Sequence, residues 1–483
     1  MIVVDGASLT CADVVAVAPG GAAVVLSEEA LKAATESYET ALVVSATRPV
    51  YGRTTGVGAN RDALVGTGDR ETHDLRLLLS HAAGVGERLD DTVTRAALLV
   101  RLNQLAAAGS GIHPRFLQAL EAALRTGSVP AVHDAGSIGT GDLSMLAEIG
   151  LTLTGHVPWA TGHVPPIVLD PGDALAFLSS NAVTLARAVL VGDELSRLLD
   201  AAHVVAALSY CALGGASEAF AEQVHARRPH PGTVDSAARM RRLLWHEGDL
   251  SPGRRIQDPF GLRAFCQVQG PALEAAGYLR RVLEVEINAA AENPLIDVGS
   301  ASAYHHGQFS TAYPALALDN LRAAVHHVAE LSAARLGDLV EPEYTGLPAF
   351  LANGPSGSSG VMILEYVAHD ALGRLRHSAG PVTLGTSVIS RGVEDHASFT
   401  PHAARSAASA AQSYRTVLAC ELVAAVRALR LDDAIPSGRA LARIFTRLAD
   451  AIPDIRTDHQ LGEEIRTAAD LLPDLADSAR EGP

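Results

Sequence analysis

The stretch GSIGTGDLSML runs from Gly136 to Leu146 and opens with three glycines in six residues. Glycine permits left-handed backbone and the close approach of other groups. Two more glycine- and serine-rich runs occur, at Tyr51 to Gly58 and at Asn353 to Gly360. Any one of these runs alone is best interpreted as a turn between helices. Three of them in one chain, each beside polar residues, favour a functional site built from loops.

Composition indicates a large globular protein without affinity for anionic partners. The chain has 483 residues, of which 48% are hydrophobic, so it can bury a large core and length alone allows roughly two to four domains. Its formal net charge of -16 leaves little basic surface for nucleic acid or an acidic membrane. We therefore expect neither nucleic acid nor a membrane as a partner.

Cysteine usage and the N-terminus favour a soluble protein of the cytoplasm. Cys11, Cys211, Cys266 and Cys420 are widely separated and form no CxxC pair, so the sequence indicates neither a disulfide framework nor a zinc site. The N-terminal MIVVDGASLT has no basic region before an apolar run, and no later segment reaches about 18 uninterrupted apolar residues.

Helical periodicity dominates after a short N-terminal strand in MIVVDG. Leu98, Leu102 and Leu105 fall on one helical face. An alanine-rich segment with a proline in its first turn predicts a long helix from Thr400 to about Leu431. Such segments are typical of closely packed helices. The fold is therefore predicted to be mainly α-helical.

A series of motifs occurs in the order in which the histidine and aromatic amino acid ammonia-lyases carry them. The motifs are YGRTTGVG at 51–58, SHAAGVG at 80–86, GSIGTGDLSML at 136–146, QDPFGLR at 257–263, EINAAAENPL at 286–295, HGQFS at 306–310, LDN at 318–320, GLPAFLANG at 346–354 and EDHAS at 394–398. The chain resembles this family from about Met1 to at least Ser398. Each motif alone is weak, but the ordered set is specific for the fold.

The resemblance implies an ammonia-lyase-like bundle of long helices with a mixed N-terminal domain that carries active-site loops. On this basis the N-terminal domain, with Tyr51 and the loop at Gly139, covers residues 1–195. The central and C-terminal helical bundle covers residues 196–483. The resemblance also implies a homotetramer whose active sites combine loops from more than one subunit.

The resemblance also assigns roles to individual residues. Tyr51 matches the catalytic base, Glu394 the carboxylate that faces the amino end of the substrate, and Arg263 the group that holds the substrate carboxylate. A planar guanidinium can grip a carboxylate with two hydrogen bonds. If these two residues had no role in the reaction, Arg263 would form an ion pair on the helix surface and Glu394 would form a buried structural ion pair. Ser80 and His81 match the positions that touch the substrate side chain, which indicates a polar or imidazole-like substrate. Further substrate-binding candidates are Gln257, Phe260, Gln308, Asn181 and the aromatic Phe309.

The central loop departs from the family pattern. In the family, Ala-Ser-Gly before Asp-Leu cyclises and dehydrates to a methylidene-imidazolone (MIO), an electrophile. Here Gly139, Thr140 and Gly141 stand in that place, and the loop is one residue shorter. A dehydrated Thr140 would carry an extra methyl on the electrophilic carbon and crowd attack by the substrate. We therefore expect no MIO and no other cofactor; if an MIO does form, these three residues form it.

Neighbouring positions depart from the pattern as well. The differing residues are Thr54, Ser179, Phe260, Gln308 and Val393. Ser179 stands where the family has an asparagine, and Asn181 can replace that asparagine only if the backbone shifts. Phe260 lacks the hydroxyl of the family's tyrosine. These changes remove hydrogen-bonding groups around the electrophile. We therefore interpret them as one connected loss and not as separate substitutions.

No metal or nucleotide site is expected. The pairs His305-His306 and His326-His327 lack HExxH or Cys/His ligand spacing and are interpreted as helix-surface or satisfied core residues. GRTTGVG lacks the lysine and the strand-to-helix context of a phosphate-binding loop.

Three functions remain open at this point. The first is an MIO-free lyase or cyclase that acts on a carboxylated small molecule by elimination or by conjugate addition, with Tyr51 as acid/base, Arg263 as anchor and Glu394 as polarising group. The second is a histidine-type ammonia-lyase in which Thr140 still becomes part of an MIO. The third is a catalytically silent binding homologue.

Overall fold

The computed structural model describes residues 1–244, 252–436, 438–455 and 457–480, and within these ranges the chain is mainly α-helical, which confirms the predicted fold class. The helices are α1 (Cys11–Val17), α2 (Glu28–Thr47), α3 (Arg70–His81), α4 (Asp91–Ala106), α5 (Arg115–Thr126), α6 (Leu143–Leu153), α7 (Asp173–Leu178), α8 (Ala182–Leu213), α9 (Glu222–His225), α10 (Pro231–Leu244), α11 (Phe260–Arg263), α12 (Phe265–Glu286), α13 (Ala312–Val340), α14 (Pro342–Thr345), α15 (Ile363–Ser378), α16 (Thr400–Leu431), α17 (Arg439–Ala451) and α18 (Gly462–Arg480). The strands are β1 (Ile2–Val4), β2 (Val24–Leu26), β3 (Val85–Arg88), β4 (Val129–Pro130), β5 (His133–Ala135), β6 (Trp159–Thr161), β7 (Leu295–Asp297) and β8 (Ser302–Tyr304).

The strands form short pairs rather than one sheet. The expected N-terminal strand is β1, which pairs in parallel with β2 and sets Val3 opposite Val25. The pairs β3–β5, β4–β6 and β7–β8 are antiparallel. Strand β5 ends at Ala135, directly before the glycines that begin at Gly136. The small sheets therefore frame loops and do not form the core.

Side-chain caps fix where the N-terminal helices begin. Thr10 and Asp13 form a reciprocal capping box at the start of α1, and Ser27 Oγ accepts the N–H of Ala30 at 3.0 Å at the start of α2. At the other end of the chain, the helix predicted from Thr400 to about Leu431 is found with these bounds as α16.

The described chain divides into two compact units, each discontinuous in sequence. The first unit consists of Met1–Val191, Leu279–Leu318 and Pro381–Arg405. The second unit consists of Gly192–Tyr278, Asp319–Gly380 and Ser406–Pro483. Helices α8, α12, α13 and α16 contribute residues to both units. The continuous division at residue 195 stays a prediction.

Helix α4 is almost wholly buried within the first unit. Its predicted apolar face of Leu98, Leu102 and Leu105 is 0% exposed. Arg101 on the same helix is also buried, and its Nη1 donates to Glu292 Oε1 at 2.6 Å. A charge inside a protein core needs such a partner, because an unpaired one is very costly to remove from water.

A buried glutamate in the second unit ties α16 to its neighbours. Glu421 is 0% exposed and accepts two hydrogen bonds from Arg335 on α13, at 2.6 and 2.8 Å. Ser332 on α13 and Ser209 on α8 donate to the same carboxylate at 2.6 and 2.7 Å. Four donated hydrogen bonds therefore compensate the buried charge.

One stretch of the described residues, Asp173–Leu213, is long and apolar enough to span a membrane by length and composition. Of its most apolar window, 89% is buried inside the structure. Core helices of globular proteins pass the same test, so this stretch is weak evidence for a membrane span.

Candidate active site

Tyr51 lies in a tight loop of the first unit between α2 and α3, here called the tyrosine loop (residues 50–60). The phenolic oxygen accepts the N–H of Gly58 at 2.6 Å, which closes the loop on itself. The N–H of Tyr51 donates to His305 Nε2 at 3.2 Å, and the two rings meet edge to face. Because Tyr51 Oη acts as an acceptor in this loop, its own O–H is available to donate.

Thr54 holds the position of the family's asparagine in the tyrosine loop. Its Oγ1 accepts the N–H of Val50 at 2.7 Å, and its backbone N–H donates to the carbonyl of Val50 at 2.9 Å. The side chain is thus used for the turn itself. Two hydrogen bonds between Thr54 and Val50 therefore hold the turn without the amide group of the family pattern.

The segment around Glu394 joins the tyrosine loop to the glycines that follow β5. Ser390 Oγ accepts the N–H of Ala59 at 2.9 Å. Farther along the same segment, Ser398 Oγ donates to the carbonyl of Gly139 at 3.1 Å. Glu394 lies between these two contacts and is half-buried.

The Tyr51 hydroxyl is protonated at neutral pH. Burial raises the pKa of Tyr51 above its ordinary value, the N–H of Gly58 opposes this rise, and the negative charge of Glu394 adds to it. Glu394 and Tyr51 lie in neighbouring loops, since Ser390 in the segment of Glu394 accepts the N–H of Ala59 in the tyrosine loop. The arrangement pairs a proton donor with a carboxylate.

The glycine loop (residues 136–142) is held by side chains on both sides. Gly139 and Gly141 have φ angles of +92° and +117°, which L-residues with a side chain rarely adopt. Ser137 Oγ accepts the N–H of Gly139 at 3.3 Å and donates to the carbonyl of Gly141 at 3.2 Å. From the other side, Asn181 Oδ1 accepts the N–H of Gly141 at 3.2 Å.

Asn181 lies against the glycine loop, whereas Ser179 does not bond to it. The Nδ2 of Asn181 donates to the carbonyl of Phe309 at 2.8 Å. Ser179 Oγ instead accepts the N–H of Asn293 at 2.9 Å. The amide group that the sequence lacks at position 179 is thus supplied two residues later, and it links the glycine loop to Phe309.

The residues of the glycine loop do not fit an MIO group. Ring closure would join the nitrogen of Gly141 to the carbonyl carbon of Gly139 and would remove the N–H that Asn181 Oδ1 accepts. A methyl group on residue 139, as the family's alanine carries, would overlap Ser398 Oγ. A dehydrated Thr140 would in addition carry an extra methyl on the electrophilic carbon, as expected from the sequence. The absence of an MIO stays a prediction.

Ser80 and His81 end helix α3 in the first unit. His81 Nδ1 lies 2.8 Å from the carbonyl of Leu77 and 3.1 Å from Ser80 Oγ. The chain then passes Gly84, and a Cβ built on Gly136 would lie 3.8 Å from the Gly84 Cα. The end of α3 therefore leads directly to the glycine loop. His81 Nδ1 thus faces its own helix, and the role of His81 in substrate binding stays a prediction.

Gln308 and Phe309 lie in the loop between β8 and α13. Gln308 is exposed and its N–H donates to His306 Nδ1 at 3.0 Å, while Phe309 is half-buried. His305, next to this histidine, accepts the N–H of Tyr51. The interpretation of His305 and His306 as helix-surface or satisfied core residues is wrong, because this part of the chain is a loop of the candidate site.

Gln257, Phe260 and Arg263 belong to the second unit. Arg263 Nε donates to the carbonyl of Asp258 at 2.9 Å, and the guanidinium carbon lies 4.1 Å from the centre of the Phe260 ring. All three predicted side chains are exposed, Phe260 to 63%. Among the described residues no carboxylate forms an ion pair with Arg263, so its guanidinium is available to an external carboxylate.

Three residues that hold the site together were missed as functional residues in the sequence. Ser137 and Ser398 bond to the glycine loop, and His305 bonds to the tyrosine loop. Both serines stand inside motifs that the sequence does single out, GSIGTG and EDHAS, and His305 directly precedes HGQFS. Their place in those motifs is the signal that could have found them.

One cluster in the second unit has the geometry to hold a metal ion. The ligand atoms of His326, His327 and Glu330 on α13 lie within 4.8 Å of one another. The glutamate pairs with both imidazoles, at 3.6 and 3.1 Å, and His327 is exposed, as expected of a helix surface. That no metal binds stays a prediction. The four cysteines are free in this structure.

Comparisons with known proteins agree on one family. The family model of aromatic amino acid lyases matches residues 9–450. The chain is 32% identical to histidine ammonia-lyase from Treponema denticola, over 98% of this chain and 96% of that protein. It is 34% identical to histidine ammonia-lyase from Anaeromyxobacter sp. strain K, over 98% of each.

Solved structures show the same fold. The ergothioneine-degrading enzyme ergothionase from Treponema denticola, in complex with desmethyl-ergothioneine sulfonic acid, has a TM-score of 0.91 and 26% identity, covering 98% of this chain and 99% of that one. Histidine ammonia-lyase from Trypanosoma cruzi also has a TM-score of 0.91 and 26% identity, covering 99% and 95%.

The sequence motifs, the helical fold and the relatives all extend over nearly the whole chain. The loops that carry Tyr51, Gly139, Phe309 and Glu394 meet within one unit of that fold. The protein is therefore an enzyme of the lyase class and belongs to the histidine and aromatic amino acid ammonia-lyase family.

Proposed function

We propose that this enzyme eliminates a group from a carboxylated small molecule, or adds one to it, by acid/base chemistry without an MIO group. The observation that carries the proposal is a protonated Tyr51 hydroxyl in a loop bonded to the Glu394 segment, which in turn is bonded to a glycine loop that does not fit the MIO. A proton donor and a carboxylate in neighbouring loops are the groups that proton transfer next to an acid group requires.

Tyr51 moves the proton at the carbon next to the substrate carboxylate. In the addition direction its neutral hydroxyl donates that proton. In the elimination direction the phenolate, which is the minor form at neutral pH, removes that proton, and the N–H of Gly58, 2.6 Å from the oxygen, stabilises the anion. Glu394 polarises the group that leaves or adds by accepting its hydrogen bond.

Substrate binding is shared among several side chains. Arg263 holds the carboxylate with two hydrogen bonds, which its exposed planar guanidinium favours. Ser80 and His81 contact the substrate side chain, Phe309 forms an aromatic wall, and Gln257, Phe260 and Gln308 complete the pocket. Thr140 keeps its hydroxyl at the centre of the glycine loop.

The proposal includes a homotetramer of the cytoplasm in which one active site combines Tyr51 and Arg263 from different subunits. The exposed Arg263, with no carboxylate partner among the described residues, supports this arrangement. A side chain that completes the site of another subunit must be exposed in its own.

Two alternatives are retained. A histidine-type ammonia-lyase that uses an MIO is favoured by the names of the relatives, which are 32% and 34% identical. The ergothionase structure is named for a substrate other than histidine, so enzymes with this fold are not confined to histidine as their substrate. The silent binding homologue is the third function, and any turnover would exclude it.

Intact-mass measurement of the purified enzyme tests the proposal. MIO formation removes two waters from the chain, so a mass equal to that of the encoded sequence is the expected result. A deficit of two waters in the peptide that contains Thr140 would overturn the proposal and make the MIO-dependent ammonia-lyase the better assignment.

A turnover assay separates the alternatives further. Histidine, phenylalanine and tyrosine are supplied in turn, and release of urocanate or cinnamates is followed by ultraviolet absorbance. We expect no product from these three amino acids. Product from any of them would favour the conventional ammonia-lyase.

A further inference from the structure

Arg53 is a buried arginine of the tyrosine loop, two residues after Tyr51, and the proposed reaction does not use it. The residue is 5% exposed. Its Nη1 donates to the carbonyl of Pro171 at 3.1 Å, and its Nη2 donates to the carbonyl of Gly111. One guanidinium thus fastens the tyrosine loop to two segments that are far from it in sequence.

The tyrosine loop packs directly against the turn that begins α7 (residues 170–173). Gly172 in this turn has a φ of +94°, and a Cβ there would lie 2.3 Å from Arg53 Cγ. On the side of the tyrosine loop, a Cβ on Gly52 would lie 2.0 Å from Leu175 Cδ2. The loop and the turn therefore meet at two places where only glycine fits.

Two buried carboxyl groups hold the same turn. Asp74 is 2% exposed and accepts the N–H of Gly172 at 3.0 Å, while Asp173 is 0% exposed and accepts the N–H of Asp170 at 2.8 Å. Burial raises the pKa of both carboxyl groups, that of Asp173 to about 7, and the positive charge of Arg53 opposes the rise in each. The turn to which Arg53 donates therefore carries the acidic groups that compensate a buried guanidinium.

The backbone of the tyrosine loop connects Arg53 to Tyr51. The N–H of Arg53 donates to the carbonyl of Val50 at 3.1 Å, so residues 50–53 form one turn with Tyr51 inside it. Beyond this turn, the phenolic oxygen of Tyr51 accepts the N–H of Gly58. A displacement of Arg53 would therefore move the Tyr51 ring away from this donor.

We propose that Arg53 is a positioning residue for Tyr51: its guanidinium, anchored to Pro171 and Gly111, holds the tyrosine loop so that the Tyr51 hydroxyl meets the N–H of Gly58. The inference rests on the acid/base role of Tyr51 in the proposed function and adds the group that orients it. A buried guanidinium is costly unless it is paired and bonded, and an apolar side chain would fill the space without that cost. The orientation of the loop is what the arginine adds.

Titration of residue 51 tests the inference on the full-length enzyme. A fluorinated tyrosine is placed there instead of Tyr51, because its phenol ionises near neutral pH while the other tyrosines stay protonated. Phenolate absorbance then reports the pKa of this residue alone. In Arg53→Met we expect that pKa to fall, because a ring that leaves its seat loses the burial that raises it.

The sign of the shift separates positioning from the other effects of Arg53. Loss of its positive charge alone would raise the pKa of residue 51. A merely stabilising role would lower the temperature of unfolding and leave that pKa unchanged. Arg53→Lys keeps the charge but not the planar fork of donors, so the pKa should lie between those of Arg53→Met and the unsubstituted enzyme. If Arg53→Met does not fold, Arg53→Lys carries the test, with a smaller fall expected.

Arg95→Met is the matched control. Arg95 also lies in the first unit, and its Nε donates to a backbone carbonyl, that of Ala18, at 2.8 Å. Because this bond lies outside the tyrosine loop, the pKa of residue 51 should be the same as with Arg95 in place.

An unchanged pKa of residue 51 in Arg53→Met would overturn the inference. So would a rise of that pKa, or a fall of equal size in Arg95→Met. The proposed function is tested separately, since a two-water mass deficit would overturn it and leave the titration result intact.

Discussion

Gly139 has a conformation and a space that suit only glycine. Its φ is +92°, and a Cβ there would overlap Ser398 Oγ and lie 3.2 Å from the Phe399 nitrogen. We expect Gly139→Ala to lower the free energy of unfolding by about 1–3 kcal/mol, the usual cost of a strained backbone position. Urea denaturation followed by circular dichroism measures this change.

Gly307→Ala provides the control for this prediction. A Cβ on Gly307 would meet nothing within 4 Å, and its φ is not in the left-handed region. The change in unfolding free energy should therefore stay within about 0.5 kcal/mol. If both variants lose the same stability, the close contact between Gly139 and Ser398 is not what holds the loop.

At the scale of residues, the sequence predicts which loops belong to the site but not the bonds between them. Motif order singles out Tyr51 and Glu394. It cannot decide between Ser179 and Asn181, because a shift of two residues just before α8 changes which side chain reaches Gly141. Contacts of this kind depend on backbone turns that a pattern of residue types does not encode.

At the scale of elements, the Glu421 carboxylate connects α8, α13 and α16 within the second unit. Glu421→Gln should lower the free energy of unfolding by about 3–5 kcal/mol, because it leaves the buried guanidinium of Arg335 without its counter-charge. Thermal and urea unfolding both report the loss. A change below about 1 kcal/mol would mean that water compensates the arginine.

The exposed pair of Arg374 and Asp370 on α15 is the comparison for this prediction. The side chains are 73% and 61% exposed, so Asp370→Asn should change stability by less than about 1 kcal/mol. The two substitutions remove the same charge. The difference between them isolates burial as the cause.

Helices were predictable from sequence where local signals define them. Thr400 and Pro401 set the start of α16, and the Leu98, Leu102 and Leu105 stripe marks the core face of α4. The discontinuous units were not predictable from sequence, because they arise from contacts between segments far apart in sequence. The paired strands, two to four residues long, are too short to leave a clear alternating pattern.

At the scale of the whole molecule, the proposed assembly makes carboxylate binding depend on Arg263 and on the tetramer together. Light scattering should give four times the mass of one chain. Arg263→Ala should keep that mass but bind urocanate, a carboxylated imidazole, at least tenfold more weakly by calorimetry, since a charge-assisted bidentate pair contributes about 1.5–3 kcal/mol.

Arg374→Ala, which removes an exposed arginine elsewhere in the second unit, should leave urocanate binding unchanged. A monomer in solution would contradict the shared active site. Failure of the unsubstituted enzyme to bind urocanate would contradict the imidazole-like substrate class, and equal binding by Arg263→Ala would remove that residue from the site.

The hydrogen bond from Gly141 to Asn181 also gives the glycine loop a built-in isotopic reporter. An MIO ring has no hydrogen on that nitrogen, whereas an open peptide keeps one. In this structure the hydrogen is buried and bonded, so deuterium from heavy water should replace it slowly. The amides of Gly139 and Asp142 in the same peptide are also bonded, so the reporter is the one protected site that Asn181→Ala releases early in exchange followed by peptide mass spectrometry.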